Sequence, residues 1–271
     1  MTNNIVTALI PTYQRPTWLI RAIKSVLNQT YAHALVTVFD NASDDNTQQV
    51  VADLYEKDHR IFYHRHPTNI GPLKNFKHAF QSVKTPYFSI LSDDDAIAFD
   101  FYEAAVNVLD NNLDIMFVIL NTLTIDANAN LIGHQPCDHS LTFYRGSNRL
   151  NIPNLPSTWT SILFRKEVAN IYLEMHGEFD IASDMRFLLL ARARYPFAYL
   201  SKVGAFFTQH NHSISAGRKR FDIVHHAVQI SRYVEIYYDS NIDSCFKVMA
   251  SNHIRTMIHP RKKQSLNTFF V

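Results

Sequence analysis

Three adjacent carboxylates carry the clearest chemical signal in the sequence. Asp93, Asp94 and Asp95 come almost directly after Tyr87–Leu91, an apolar run with the composition of a buried strand. Adjacent carboxylates repel one another, and a hard cation such as Mg²⁺ or Mn²⁺, bound through oxygen atoms, relieves that repulsion. The triplet therefore predicts a site for a metal ion and a phosphate, with an acidic turn that caps the following helix as the alternative.

Two more polar turns follow predicted strands nearer the N-terminus. The first runs from Pro11 to Pro16, and the second runs from Asp40 to Asp45. Asp40 could accept hydrogen bonds from a nucleobase or a ribose, or it could cap the helix that follows. Open α/β sheets bind ligands outside the carboxyl ends of their parallel strands, so we expect the three turns to converge on one crevice.

Apolar, β-branched runs alternate with amphipathic stretches in the first half of the chain, which is typical of strands joined by crossover helices around a parallel sheet. The predicted strands are Ile5–Ile10, Leu35–Phe39, Arg60–His64 and Tyr87–Leu91, and the predicted helices are Thr17–Asn28, Asp45–Lys57 and Pro72–Val83. The rest has a mixed α+β pattern. Its predicted strands are Ile115–Leu120, Thr122–Ile125, Thr160–Phe164 and Gly204–Gln209, with a polar loop at Asp126–Ser140. Its predicted helices are Phe101–Asn111, Lys166–Met175, Ser183–Ala193, Ile223–Tyr238 and Ile242–Ile258.

Composition excludes several classes of protein. The 271 residues are 46% hydrophobic and 18% charged, as in a folded globular chain, and only 6 are glycine. Neither GxGxxG nor GxxxxGK[ST] occurs, which argues against the common glycine-rich phosphate loops. The two cysteines lack zinc-finger spacing and favour a reducing compartment, and a net charge of +2 gives no reason to expect a nucleic-acid partner.

The C-terminal region differs from the rest of the chain in its charge. From Gly217 to Val271 there are nine lysines and arginines against four acids. The N-terminus has no secretory pattern, and the most apolar run is too short to span a bilayer. We therefore expect a cytoplasmic protein that can contact the anionic inner face of a membrane through a basic, helical extension.

Several motifs together resemble family 2 of the inverting glycosyltransferases, which have the GT-A fold. Residues 10–16 read IPTYQRP, residues 38–45 read VFDNASDD, residues 69–75 read NIGPLKN and residues 92–95 read SDDD, in the order and at the spacing of that family. The resemblance covers roughly residues 5–97. It implies a Rossmann-like mixed sheet flanked by helices, with a donor half at 1–97, an acceptor and catalytic half at 98–216 and a helical basic extension at 217–271.

The resemblance also implies roles for individual residues. Donor-binding positions would be Pro11, Thr12, Tyr13, Arg15, Asp40, Asn69, Gly71, Asn75, Asp93 and Asp94. Asp94 would bind the metal and Asp93 the ribose, while Asp95 would be a metal ligand or lie just behind it. Ser92 stands where the family usually has the first acid of this motif.

Two segments in the second half extend the resemblance. Residues 179–187 read FDIASDMRF, in which Asp184 would be the base that deprotonates the acceptor, with Asp180 as a competitor and a plain helix start as the alternative. Residues 208–215 read TQHNHSIS, in which His210 would reach the metal and His212 could join it. Trp159 would contact the acceptor sugar or belong to the core. The remaining histidines receive no role.

The implied function is metal-dependent transfer of a sugar from a nucleoside-diphosphate donor to a hydroxyl of a glycan or lipid-linked acceptor, with inversion, in cell-surface polysaccharide synthesis. Mn²⁺ or Mg²⁺ is the implied cofactor. The basic extension would close over the donor diphosphate or contact a membrane. The alternatives are a metal-dependent phosphoester hydrolase or nucleotidyltransferase, and a binding module that has lost catalysis.

Overall fold

The computed structural model describes residues 5–133, 137–146, 149, 158–175, 183–210, 236–240, 242 and 244–258. The chain divides into two compact units, Met1–Gly217 and Arg218–Val271. In the second unit, the predicted last helix is present as Ser244–Ile258. Most of the predicted helix Ile223–Tyr238, the basic runs at 218–220 and 261–263, Asp180 and His212 lie outside the described residues.

The first half of the larger unit alternates strands and helices as predicted. The strands are β1 (Val6–Thr12), β2 (Ala34–Asp40), β3 (Ile61–Arg65) and β4 (Tyr87–Ile90). The helices are α1 (Pro16–Leu27), α2 (Thr47–Tyr55) and α3 (Pro72–Gln81). β1 pairs in parallel with β2 and β4, and β2 pairs in parallel with β3, which confirms the predicted parallel sheet.

The second half differs from its predicted boundaries. Its strands are β5 (Ala96–Ile97), β6 (Phe117–Asp126), β7 (Leu131–Gly133), β8 (Leu141–Tyr144), β9 (Ile162–Arg165) and β10 (Phe197–Gln209). Its helices are α4 (Phe101–Asn111), α5 (Ala169–Glu174) and α6 (Ser183–Arg194). The two predicted strands at 115–125 form one strand, β7 lies inside the predicted polar loop, and β10 begins seven residues before the predicted strand.

A single mixed sheet runs through the unit in the order β3-β2-β1-β4-β9-β6-β10-β5. β9 is antiparallel to β4 and β6, whereas β6 and β10 are parallel to each other. In the parallel half, Thr12 lies beside Asp40, and Asp40 lies beside Arg65, at the carboxyl ends of three strands. The sheet register therefore aligns the polar turns along one edge.

Helix packing fixes the loops that leave this edge. α1 buries Leu19, Ile23 and Val26 against the sheet. The turns before α1 and α2 contain Gln14 and Ala42, whose φ angles are positive, at 54° and 62°. Most side chains disfavour this left-handed region, so both turns depend on the packing around them.

Candidate active site

The acidic triplet lies at the end of β4, and its carboxylates bond to three different parts of the sheet edge. Thr12 Oγ1 donates to Asp93 Oδ2 at 2.8 Å. Arg15 Nη1 donates to Asp93 Oδ1 at 3.1 Å and to Asp94 Oδ2 at 2.8 Å. His210 Nε2 lies 3.0 Å from the same Asp94 oxygen. The structure thus brings together Arg15, Asp94 and His210, which the sequence analysis assigned to one site.

Asp95 differs from its neighbours because both of its oxygens face donors inside the protein. Thr208 N donates to Oδ1 at 2.8 Å and Thr160 Oγ1 donates to Oδ2 at 2.8 Å. Asp95 as a whole residue is only 1% exposed, whereas the side chain of Asp94 is 13% exposed. Asp95 therefore ties β10 and the segment before β9 to the acidic turn, and Asp94 is the member of this pair that faces the crevice.

Burial dominates the electrostatics of the triplet. It raises the pKa of Asp93 to about 6, and the nearby Arg15 charge partly offsets this effect. Burial, followed by the negative charge of Asp94, raises the pKa of Asp95 to about 7, while the Thr208 N–H opposes the shift. These carboxylates are held close together away from water, so a further positive charge at this position would be favourable.

One face of α1 completes the surroundings of Asp94, and the sequence analysis missed part of it. Trp18 stacks on the His210 ring, with centroids 5.1 Å apart and planes 15° apart. The Arg21 guanidinium lies 4.7 Å from the centre of Trp18 and donates to Thr208 Oγ1 and to the backbone oxygen of Asp94. Trp18 and Arg21 are three residues apart on α1 and share one helix face, and Arg15 directly precedes that helix. That spacing was the available signal.

The turn after β2 is built around Asp40, whose residue is 0% exposed. Ser43 N and Ser43 Oγ donate to Asp40 Oδ1 at 2.9 and 2.6 Å, and Tyr63 Oη donates to Oδ2 at 2.5 Å. Arg65 Nε lies 3.5 Å from Oδ2. The Asp40 carboxylate thus holds the turn from inside, and a nucleobase could bond to it only by replacing one of these hydrogen-bond donors.

The predicted donor-binding residues at the end of β1 differ in exposure. Tyr13 is exposed, while Pro11 and Thr12 are buried.

Residues 69–75, the NIGPLKN segment, make hydrogen bonds that hold the neighbouring loops in place. Asn69 Oδ1 accepts hydrogen bonds from Gly71 N and Asn41 Nδ2, both at 2.9 Å. Gly71 has φ of 82° just before α3, a conformation that favours glycine. Asn75 is only 2% exposed and bonds the Phe39 carbonyl and His66. The Asn75 amide is therefore bonded inside the fold, and its predicted contact with the nucleotide-sugar donor stays a prediction.

The two remaining predicted residues lie further along the chain. Trp159 is 8% exposed and packs against Phe76 and Phe80, as a core tryptophan does, and its predicted contact with the acceptor sugar stays a prediction. Asp184 is half-buried in the first turn of α6. Burial raises the pKa of Tyr172 on α5, and the negative charge of Asp184 raises it further. The Asp184 carboxylate therefore lies near the Tyr172 ring.

A model of glycosyl transferase family 2 matches residues 7–172, more than half of the chain. The chain belongs to this family. The match contains β1 to β4, the acidic triplet and the segment up to α5, but it ends before Asp184 and His210.

Curated glycosyltransferases match part of the chain. Abequosyltransferase RfbV of Salmonella typhimurium is 30% identical over 115 residues, which are 41% of this chain and 34% of that protein. GalNAc(5)-diNAcBac-PP-undecaprenol beta-1,3-glucosyltransferase of Campylobacter jejuni is 31% identical over 93 residues, 34% of this chain and 30% of that protein. An uncharacterized glycosyltransferase of Haemophilus influenzae is 29% identical over 110 residues. The matches span 15 to 46% of the curated relatives' own lengths.

Solved structures establish the fold over nearly the whole chain. S. aureus TarS 1-349 in complex with UDP-GlcNAc superposes with a TM-score of 0.72 at 16% identity, covering 93% of this chain and 72% of that one. PcManGT from Pyrobaculum calidifontis, a mannosyltransferase in complex with GDP-Man and Mn²⁺, superposes with a TM-score of 0.59 at 15% identity, covering 95% and 70%. The predicted GT-A fold is confirmed. Among the described residues, no helix is long and apolar enough to cross a membrane.

Proposed function

We propose that this family 2 protein is an inverting, metal-dependent glycosyltransferase that moves a sugar from a nucleoside diphosphate to a hydroxyl of a glycan or lipid-linked acceptor. The observation that carries the proposal is the convergence of Asp94, Arg15 and His210 at the carboxyl edge of the parallel strands. This edge is where α/β sheets bind nucleotides. The convergence also joins the two halves of the unit at one point.

The residues at this edge fit a divalent cation. Asp94 supplies a partly exposed carboxylate, and His210 Nε2 lies 3.0 Å from it. Mg²⁺ and Mn²⁺ take oxygen ligands, and an imidazole suits Mn²⁺ as an additional one. When bound, such an ion would neutralise the negative charge that develops on the departing diphosphate. We assign the ligand role to Asp94 and His210, with Asp95 holding the turn behind them.

The chain's own residues provide the donor pocket. Tyr13 is exposed at the end of β1 and can lie against a base, while Asp93 is oriented towards the same edge by Thr12. Arg15 brings a positive charge to the place where a diphosphate would lie. Asp40 fixes the turn beside the base and can exchange a hydrogen bond with it. Base recognition thus rests on the shape of this turn as well as on the carboxylate.

Asp184 is our proposed base. It lies in the first turn of α6, where the helix dipole stabilises a carboxylate. Its oxygen would take the proton of the acceptor hydroxyl while the acceptor oxygen forms a bond to the anomeric carbon. The bond from that carbon to the diphosphate oxygen breaks at the same time, so a single displacement inverts the configuration.

The acceptor class and the location of the protein are inferred from the relatives. The Campylobacter relative is named for an undecaprenol-linked acceptor, and the Salmonella relative is named for transfer of abequose. We extend to this chain a role in cell-surface polysaccharide synthesis at the cytoplasmic face of a membrane. The basic residues after Gly217 would make the peripheral contact.

Donor turnover with matched variants tests the proposal. UDP-GlcNAc and GDP-mannose begin the donor panel, with Mn²⁺ and a panel of simple glycans and lipid-linked sugars as acceptors. Asp184→Asn should abolish transfer while donor affinity stays near that of the parent, because the base is needed only in the transition state. Asp53→Asn, an exposed acid on α2, is the control. The inverted product should be visible by NMR of the anomeric proton.

Four outcomes would contradict the proposal. Retention of configuration would exclude a single displacement, and full activity of Asp184→Asn would remove it as the base. Donor binding without transfer to any acceptor would favour a binding module. Hydrolysis of phosphoesters unrelated to sugar nucleotides would favour the phosphoesterase alternative.

A further inference from the structure

Three histidines with no role in the proposed reaction meet between β3 and α3. His64 lies near the end of β3, His66 follows that strand, and His78 lies in the last turn of α3. One ring nitrogen from each lies within 4.8 Å of the other two. The ring centroids are 4.4 to 5.0 Å apart. Among the described residues, this is the group that has the composition and spacing of a metal site.

The local backbone explains why the three rings meet. Side chains two residues apart on a strand point to the same face, and the backbone N–H of His66 continues the ladder by donating to the Asp40 carbonyl at 2.9 Å. His64 and His66 therefore face α3 together. The bond between His66 and Asn75, in the first half of α3, fixes that helix against the strand and brings His78 beside both rings.

Hydrogen bonding leaves a lone pair on His66 for a ligand. Asn75 Nδ2 donates to the Phe39 carbonyl at 2.8 Å, so the amide presents its oxygen to His66 Nε2, 3.1 Å away. That oxygen can only accept, and His66 Nε2 must carry the hydrogen. The lone pair is then on Nδ1. Metal-bound histidines commonly donate their second nitrogen to an oxygen in this way, which fixes the ring orientation.

His78 supplies a second, independent observation. Its Nδ1 is buried, and no hydrogen-bond partner for it exists in the part of the chain that the structure describes. Buried polar atoms are nearly always satisfied, and a bound ion is one of the recognised explanations when a protein partner is lacking. His78 belongs to the same cluster as His64 and His66.

The ligand types of the cluster indicate the kind of metal. The cluster contains imidazoles without a carboxylate, a set that suits zinc and similar transition metals rather than Mg²⁺.

We propose that His64, His66 and His78 bind one zinc-type transition-metal ion, separate from the carboxylate site. A water molecule would be the fourth ligand, because His64 is exposed and leaves the site open to solvent. Tetrahedral zinc holds its nitrogens about 3.4 Å apart at bond lengths of 2.0–2.1 Å. The three nitrogens lie within 4.8 Å of one another, and small side-chain rotations on metal binding would bring them to this spacing. The ion would link the edge strand β3 to α3. It would thereby stabilise the part of the sheet that lies beside Asp40.

The experiment uses the full chain without a polyhistidine tag. Zn²⁺ is removed with a chelator and then titrated in competition with a chromogenic chelator, with excess Mg²⁺ present to occupy the carboxylate site. We expect one Zn²⁺ per chain and an increase in melting temperature. His64→Ala and His78→Ala should each weaken Zn²⁺ binding by at least about tenfold and abolish the thermal shift. His33→Ala, an exposed histidine on another loop, should behave as the parent.

Two further measurements distinguish loss of the metal site from loss of folding, and show which residues bind the metal. His64 is exposed, so His64→Ala should retain the circular-dichroism spectrum of the parent even where His78→Ala does not fold. Co²⁺ in place of Zn²⁺ should give the visible absorption of tetrahedral nitrogen ligation, lost in His64→Ala. Equal Zn²⁺ affinity in His64→Ala and the parent, no binding by the parent, or loss of binding only in Asp94→Asn would overturn the proposal.

Discussion

Replacing Asp94 by asparagine should separate donor binding from stability. The variant keeps the size of the side chain but removes a charge that raises the pKa of both Asp93 and Asp95. Arg15 keeps its partner Asp93 at 3.1 Å, so no buried cation is left alone. We therefore expect the free energy of unfolding to change by about 1 kcal/mol or less, since relief of repulsion offsets the lost ion pair.

Metal-dependent donor binding should respond differently. Asp94 is the most accessible carboxylate of the triplet, and its loss should weaken donor affinity by at least tenfold, or about 1.4 kcal/mol. Isothermal titration with the donor that the parent binds, with Mn²⁺ and then with a chelator, measures this effect, and urea unfolding measures stability. Asp53→Asn is the matched control for loss of an exposed acid. Parental Mn²⁺-dependent affinity in Asp94→Asn would refute the ligand assignment, and a large loss of stability would refute the charge argument.

Three other predictions concern the same unit. Because the pKa of Asp95 is raised to about 7, the folded protein holds a proton on this residue between pH about 4 and about 7, whereas the unfolded chain does not. The free energy of unfolding without ligand should therefore fall as pH rises through that window. Urea titrations at several pH values should show a shallower slope for Asp95→Asn, and an identical slope would count against the shift. Asp40→Ala leaves buried donors unpaired, so unfolding free energy should drop by about 3 kcal/mol and nucleotide affinity should fall with it; an unchanged urea midpoint would contradict this. Gly204→Ala would place a Cβ 2.5 Å from Leu120 Cβ and should destabilise by about 1–3 kcal/mol, whereas Gly133→Ala, with its nearest atom at 3.6 Å, should be tolerated; equal melting temperatures would argue against the close packing.

The positions of the polar turns followed from local pattern. Strands β1 to β4 are short apolar runs bounded by turn residues, and in a parallel sheet their carboxyl ends must share one edge. Thr12, Asp40 and Asp93 therefore came to lie along that edge as the sequence predicted. The family motifs also predicted that His210 belongs with Asp94, although 116 residues separate them.

Boundaries in the second half depended on packing between distant segments. β10 pairs with both β6 and β8, so its length is set by two partners that no local periodicity reveals. Part of the predicted polar loop became β7 because β6 offered it a free edge. The sequence left Trp159 as a core or an acceptor residue, and its packing against Phe76 and Phe80 of α3 is visible only in the tertiary structure.

The sequence by itself determined the chemistry available at the sheet edge, since residue types and strand ends are local properties. Tertiary structure alone decided how each carboxylate is used. Asp95 is turned inward by Thr160 and Thr208, whereas its neighbour Asp94 faces Arg15 and His210. Adjacent residues in a turn point in different directions, and the partners that distinguish them come from segments far away in the chain. The sequence did not reveal the three histidines for the same reason. Their spacing matches no short motif, and they meet only because α3 packs on β3.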